Sequence, residues 1–448
     1  MDNNTTKEIV MFRKLINFLC FPLMNRKGVA TLNVMSYTGA ELDYAIPEKW
    51  DKRLYENGMF NAFWGSNKEG KEGSNKPIIT KDDFTKEPGD VIHFNVISDL
   101  YSAGVTGETT LAGSEDKLSL AQFNLTVDWA RNAVAFTKNV QRRVNFETVN
   151  LSRIKLEKWL SRFVIDADMF TQLITTESPD TLYSGDATSA ATLGSNDTFG
   201  VEEIDRIKLS LQRKGALPIS AKMKDGENLD TYGIVISEVD EYWLKGDEDW
   251  KKGAREAAER GAGNPLFTGA IGMWNGCIIY VHRSVKSGYQ VIGSALRPEA
   301  RLYTTINAGD TGANLVLADA STTKSKLTKF FPATGILRIG TEDLTYTAKS
   351  DYGFTISARG ANGTTAAAHT AGALVTLRDV STQIGFGAEV AIRGWALKPT
   401  HTTDVKDYGF EQGIGVEAVF GQVAVKDTLG VPKNYLLCKS YANNPGTI

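Results

Sequence analysis

The chain has 448 residues, 42% of them apolar and 23% charged, and carries a formal charge of −3 at neutral pH. That length exceeds one ordinary domain and sets an expectation of two or three. The apolar content excludes disorder of the whole chain, and the near-neutral balance gives no overall basic field of the kind that marks a nucleic-acid binder.

The 42 glycines against 12 prolines point to many turns and strand bends. Cys20, Cys277 and Cys438 are odd in number and far apart, so neither a disulfide framework nor a cysteine zinc site is indicated, and synthesis in a reducing cytoplasm fits. Residues Met11 to Met24, MFRKLINFLCFPLM, pair a basic start with a short apolar run. Asn17 interrupts the run, Pro22 breaks it, and it is too short to span a bilayer. It reads as an amphipathic arm segment or as an over-extended reading frame, with Met35 resembling a natural start.

Residues 36–65 read as an extended arm with aromatic anchors, among them Trp50 and Trp64. Residues 66–90 are polar, with Lys, Gly and Pro, and form a loop. The run VIHFNVISDL (Val91 to Leu100) is a β-rich strand pattern. In 123–136 the residues Phe123, Leu125, Val127 and Trp129 alternate on one face. The two runs predict a long hairpin with its tip at 101–119.

Leu156, Trp159, Leu160, Phe163, Ala167, Phe170 and Ile174 then fall at helical spacing. With a lead-in from about Asn145 they predict one long helix, roughly 45 Å at 1.5 Å per residue. A helix follows at Val201 to Lys214, stopped by Gly215, then a buried-type strand at Tyr232 to Val239. Asp247 is a helix cap for a segment through Arg260, and Cys277 to His282 is a core strand. Residues 300–378 change character: short strands at Leu315–Leu317, Gly335–Ile339, Asp343–Thr347, Gly353–Ile356 and Ala373–Leu377 predict a small all-β unit inserted at a surface loop. The α+β style returns from Ile384, with strand-like Gly415–Val425 and Tyr435–Lys439.

Catalytic vocabulary is sparse. The histidines His93, His282, His369 and His401 show no metal-ligand spacing, and HExxH and the phosphate-loop pattern GxxxxGK[ST] are both absent. Gly413-Ile-Gly415-Val-Glu-Ala418 imitates a dinucleotide fingerprint, but the next residues, VFGQVAV, are strand-like, so the helix that must receive the phosphate is missing. Asp247-Glu-Asp249 reads as helix capping and Asp166-x-Asp168 as a solvated helix face. The basic run of Arg142, Arg143, Arg153, Lys155, Lys158 and Arg162 reads first as a solvated helix face as well. No nucleophile–base set appears, no cofactor is expected, and the chain reads as a structural protein rather than an enzyme.

Four stretches carry a family resemblance: GDVIHFNVISDLYSAGVTGETTLAGSEDKLSLAQFNLTVDWARNAV (Gly89 to Val134), LSRIKLEKWL (Leu151 to Leu160), WKKGAREAAERGAGNPLFTGAIGMWNGCIIYVHRSV (Trp250 to Val285) and DYGFEQGIGVEAVFGQVAV (Asp407 to Val425). The pattern resembles the N4 gp56-type family of phage major capsid proteins, which are HK97-like. The resemblance covers roughly 36–300 and 379–445. The first 35 residues depart from it, and the β insert is extra. The insert's FPATGILRIGTEDLTYTAKSDYGFTISARGANGTTAAAHTAGALV resembles a module of phage tail and fibre proteins, in which His369 makes a structural hydrogen bond.

The resemblance implies an α+β HK97-like capsid fold. It divides the chain into an N-terminal arm (1–65), an E-loop hairpin with flanking strands (66–136) and a spine-helix P-domain (137–198). The first part of an A-domain (199–299), the inserted β domain (300–378) and the completion of the A- and P-domains (379–448) follow. It implies self-assembly into hexamers and pentamers of an icosahedral head of a tailed double-stranded-DNA phage, made in the bacterial cytoplasm. Portal, scaffolding and decoration proteins are the implied partners, with non-specific contact to packaged DNA and no membrane.

A hairpin of this length cannot bury its own faces, so its apolar side must lie on a neighbour. Expected assembly contacts are Glu108, Leu111, Glu115 and Asp116 at the hairpin tip, Arg142 and Arg143 as their basic counterparts on a neighbour, and the arm anchors Trp50 and Trp64. An encapsulin-like compartment shell shares the implied fold, and a tail or receptor-binding protein is the reading from a different class.

Overall fold

A computed structural model of the protein describes residues 62–65, 68–81, 91–97, 104–108, 110–113, 115, 120–144, 148–174, 180–222, 228–259, 272–287, 290–310, 314–317, 327–426 and 430–443. The expected arm lies outside them except for 62–65, so Trp50 is outside and Trp64 inside.

Strands β1 (Glu69–Gly70) and β2 (Ile78–Lys81) pair in parallel at one edge of a sheet. Strands β3 (Val91–Ile97) and β4 (Leu120–Thr126) form the expected hairpin, antiparallel from Val91↔Thr126 to Ile97↔Leu120. The second run is not one strand. It breaks at Val127, and β5 (Asp128–Thr137) leaves the hairpin to pair with residues 411–420. Leu125 is buried and Trp129 well exposed, so the predicted single alternating face is corrected. The break lets one end of the ribbon join the body while the other projects.

A short helix α1 (Lys138–Arg143) precedes the long one. The long helix consists of α2 (Thr148–Trp159), a π segment (Leu160–Asp166) and α3 (Ala167–Ile174) in continuous succession. The sequence predicts the length but not the π turn, which widens the helix by adding a residue to the repeat. Leu156 and Leu160 pack on Phe136, Trp395, Ile414, Val416, Ala418 and Phe420.

The middle of the chain builds an α/β layer from β6 (Leu182–Tyr183), α4 (Val201–Arg213), β7 (Ile219–Lys222), β8 (Asn228–Ser237), α5 (Glu238–Gly246), α6 (Glu248–Glu259), β9 (Met273–Trp274) and β10 (Cys277–His282). The predicted strand to Val239 stops at Ser237, because Ser237 and Asp240 form a capping box: Asp240 N–H donates to Ser237 Oγ and Ser237 N–H to Asp240 Oδ2. Asp247 caps as expected, accepting the Asp249 N–H at 2.8 Å, and its second oxygen accepts Val201 N–H at the start of α4. On α4, Val201, Ile204, Ile207 and Leu211 sink into the sheet. Each such side chain contributes about 1.5–3 kcal/mol of burial. Gly385 permits that approach, since a Cβ there would stand 2.3 Å from Ile207.

A small pair, β11 (Val285–Ser287) and β12 (Gln290–Gly293), leads into residues 299–376. Here β13 (Glu299–Arg301), β14 (Asn314–Val316), β15 (Gly335–Ile339), β16 (Glu342–Ser350), β17 (Gly353–Ala361) and β18 (Leu374–Thr376) form a six-stranded sheet in the order β13-β18-β15-β16-β17-β14. Its core holds Leu315, Leu337, Leu344, Tyr346, Phe354 and Val375, all drawn from this stretch. Entry strand β13 pairs directly with exit strand β18, so the chain leaves next to where it came in. That geometry makes an insertion tolerable.

The last strands are β19 (Val380–Phe386), β20 (Ala391–Lys406), β21 (Glu411–Ala424) and β22 (Tyr435–Tyr441). β19 and β22 complete the seven-stranded sheet, ordered β6-β22-β19-β8-β10-β9 with β7 on β8. β20 and β21 form the centre of the five-stranded sheet β1-β2-β20-β21-β5. The fingerprint-like 413–418 stretch lies inside β21. Among the described residues no helix is long and apolar enough to cross a membrane, and no cluster of His, Cys, Asp and Glu could hold a metal ion.

Candidate assembly surface

The hairpin is rooted at one place. Leu125 is fully buried with Ile79 and Ile392, and Phe94 and Val127 pack against them. Directly below, β21 passes so close that a Cβ on Gly421 would stand 2.1 Å from the Thr126 carbonyl oxygen. Beyond the root, β3 and β4 pair, among the described residues, only with each other. His93 Nδ1 and Asn124 Oδ1, 2.7 Å apart, tie the strands across the ribbon.

The tip is exposed throughout its described residues except Val105, which is half-buried. Glycines at positive φ (Gly104, Gly107, Gly113) turn the chain. Glu108 and Leu111 face solvent, Leu111 at 59% exposure. Glu115 is exposed but also closes the turn, accepting the Gly113 N–H at 2.8 Å. Asp116 lies outside the described residues.

Arg142 and Arg143 occupy the last turn of α1, exposed, where cations complement the helix dipole. Thr137 caps the helix start, Val140 buries it and Gln141 reaches Gln412. The ten-residue β5 separates α1 from the hairpin, a span of about 30 Å. The acidic tip and the basic helix of one chain are therefore at opposite ends of one path. Lys155 is exposed on α2.

Trp64 is corrected. It is fully buried in the chain's own core, edge-on to Phe170 and Phe386, and so is not a surface anchor. What holds it is Asp166, which the sequence places on a solvated helix face. Asp166 is buried, its Oδ2 accepting the Phe63 N–H at 2.8 Å and its Oδ1 the Trp64 N–H at 2.9 Å. Burial pushes its carboxyl up to about 6, against the pull of those two N–H groups, Lys68 and Arg162. Asp168 likewise turns inward, accepting from Gln422 Nε2 at 3.1 Å.

One exposed apolar surface escapes the sequence reading. Where β20 turns into β21, Asp407, Tyr408 and Gly409 all have positive φ, and Tyr408 is fully exposed between exposed Val405 and Phe410. A tyrosine in the left-handed region is uncommon and costs energy. Trp129 and Val134 on the edge strand β5 add exposed apolar area. The Asp-x-Gly turn between two alternating runs is the signal that marks this tip.

A projecting ribbon, a long helix packed across a long-stranded sheet and a central α/β layer define the HK97-like fold of shell subunits, to which the β unit at 299–376 is an addition. The chain belongs to the phage capsid protein family, whose model matches residues 24–187 and 172–295, together well over half its length. It is a capsid protein that forms a phage head. The capsid of Ralstonia phage GP4 is similar in structure with a TM-score of 0.58 at 17% identity, covering 94% of this chain and 100% of that one. The cyanophage Pam1 capsid gives 0.57 at 14%, covering 94% and 99%. The acid-stable capsid of Helicobacter pylori bacteriophage KHP30 gives 0.56 at 13%, covering 92% and 100%. At such identities the likeness concerns the fold. Comparison with curated protein sequences gave no match.

Proposed function

We propose that the chain is the repeating subunit of the icosahedral head of a tailed double-stranded-DNA phage, of the N4 gp56 type, assembled as hexamers and pentamers. The observation that carries this reading is the β3–β4 ribbon, which among the described residues pairs with no third strand and is rooted at one end around Leu125. A lone two-stranded ribbon is marginal in water. Lying on a sister subunit supplies the missing cover.

In this reading residues 66–136 act as the E-loop and its flanking strands. Residues 137–198 with part of 379–448 are the peripheral domain, and 199–299 with the remainder are the axial domain. Glu108, Leu111, Glu115 and Asp116 meet a neighbour's Arg142, Arg143 or Lys155. The tip at Tyr408 is a second contact point, because its exposed apolar side chains and left-handed backbone are costly unless covered. Such head-to-tail contacts are heterologous and close into rings. Each is modest, and many at once make a shell stable through effective concentration.

The β unit at 300–378 projects as a knob of tail-module type. Portal, scaffolding and decoration proteins are the expected partners. The chain's near-neutral charge suits a wall that contains DNA with non-specific, salt-dependent contact. Negative-stain microscopy of the purified protein tests the reading: closed shells support it, and trimeric spikes or a persistent monomer overturn it.

A further inference from the structure

The π segment sits at a crossing of three parts of the molecule. Its last residue, Asp166, grips the backbone N–H groups of Phe63 and Trp64. The Phe163 carbonyl accepts from Lys329 Nζ, and the Phe163 ring packs against the core of the 300–378 β unit. The Ile165 carbonyl accepts from Gln422 Nε2 on β21 at 3.1 Å. Two carbonyls of the wide turn thus take partners from outside the helix, and one carboxylate holds the arm segment.

Every one of these contacts depends on register. Successive residues of an α-helix are about 100° apart around the axis, so losing the extra residue of a π turn swings the side chains of the segment to a different side. Mid-helix π turns are rare and are concentrated at functional sites. We propose that residues 160–166 are a two-state joint coupling the arm segment at Phe63–Trp64 to the 300–378 β unit: the wide turn holds both, and closing it to an ordinary α turn lets go of both together.

The surroundings hold the joint without locking it. Lys68 Nζ donates to the Phe63 carbonyl at 2.9 Å and sits 3.7 Å over the Phe63 ring, within the Coulomb field of Asp166. Arg162 on the same segment also faces Asp166, Lys329 faces Asp168, and half-buried His282 lies 4.6 Å from the Phe170 ring with Arg162 beside it. Burial pushes Asp166 up to about 6 and Lys68 down to about 8, so at neutral pH the closed joint keeps in low-dielectric surroundings two charges that water holds better. The contacts are therefore opposed by a built-in cost.

Amide hydrogen exchange on the full-length protein tests the coupling. Asp166→Ala removes both acceptors that grip the arm, and Lys329→Met breaks the contact with the β unit. Coupling is reciprocal, so each variant is expected to speed exchange at both 62–65 and 327–331, by at least ~5-fold at the distant site. Acceleration confined to the mutated contact overturns the proposal. The wild-type protein gives a second reading that needs no variant. A shared opening makes 62–65 and 327–331 exchange with one common opening free energy, whereas openings that differ by more than about tenfold overturn it.

Discussion

Arg359 and Glu342 meet as a two-pronged pair inside the 300–378 sheet, Nε on Oε1 at 2.6 Å and Nη2 on Oε2 at 2.8 Å. Glu342 is fully buried and also accepts the Ala367 N–H at 3.0 Å and His369 Nε2 at 2.8 Å. Burial pushes its carboxyl up, but hydrogen bonds from Arg359, Ala367 and His369 outweigh burial and hold it down to about 2. The unit's loops at 307–310 and 364–369 are tied through the same centre, since Arg359 Nη1 reaches the Asn307 carbonyl at 2.7 Å.

Removing that carboxylate leaves a buried guanidinium without its partner. Glu342→Gln is expected to destabilise the β unit by about 3–5 kcal/mol. Because the folded-state pKa is depressed, the stabilisation is present above about 4.5, the ordinary value, and is lost as pH falls towards about 2. Thermal melts of wild type and variant between pH 7 and 3 check both points. Equal melting temperatures at pH 7 would show that the pair does not hold the unit.

Trp64 fills the centre of the main core beside Phe170, Phe386 and Tyr435. Trp64→Ala is expected to cost about 3–5 kcal/mol through the cavity it leaves. Urea unfolding of the unassembled chain measures this without reference to shells. A loss below about 1 kcal/mol would return Trp64 to the surface role that its place in the arm suggests.

The Asp166 carboxyl carries a pH signature of the opposite sign. Its pKa is raised from 3.8 to about 6, so the closed state at Phe63–Trp64 is weakest above about 6 and gains stability as pH falls from there towards 4. Lys68, lowered from 10.5 to about 8, adds the mirror effect, strengthening the closed state as pH rises above 8. Exchange at 62–65, corrected for intrinsic chemistry, is expected to be fastest between pH 6 and 8 and to slow on acidification to 5. Faster opening at pH 5 than at 7 contradicts this.

The charge pairing proposed between neighbours predicts a rescue. Arg142→Glu with Arg143→Glu is expected to impair assembly, and Glu115→Lys with Asp116→Lys likewise. The two pairs combined are expected to recover part of the loss. Sedimentation of assembled particles at low and moderate salt reads the result. Unimpaired assembly in both single sets removes these residues from the contact.

Local patterns in the sequence disclose most of the elements. Alternation marks β3, β4 and the strands of the 300–378 unit, and helical spacing marks α2 through α3, because each pattern follows from the side-chain period of one element. The break at Val127 is not visible that way, since both sides of it alternate and only the separate partners of β4 and β5 distinguish them. The π turn hides for a related reason: one extra residue barely alters the spacing of Leu156, Leu160, Phe163 and Phe170. Asp166 looks solvated because a charged residue on a helix usually is, and its partners Phe63 and Trp64 lie about a hundred residues away. Tip residues such as Leu111 could be named from their place between strands, but within the chain they only face solvent, and the proposed contact with a neighbour leaves no pattern in one chain's sequence.

The most direct measurement is hydrogen exchange at 91–97 and 120–126, compared between unassembled chain and assembled particles. Those strands are expected to exchange freely before assembly and to gain strong protection within shells, because a neighbour's surface then covers the ribbon. Equal, strong protection in a chain that stays monomeric at high concentration would contradict the account.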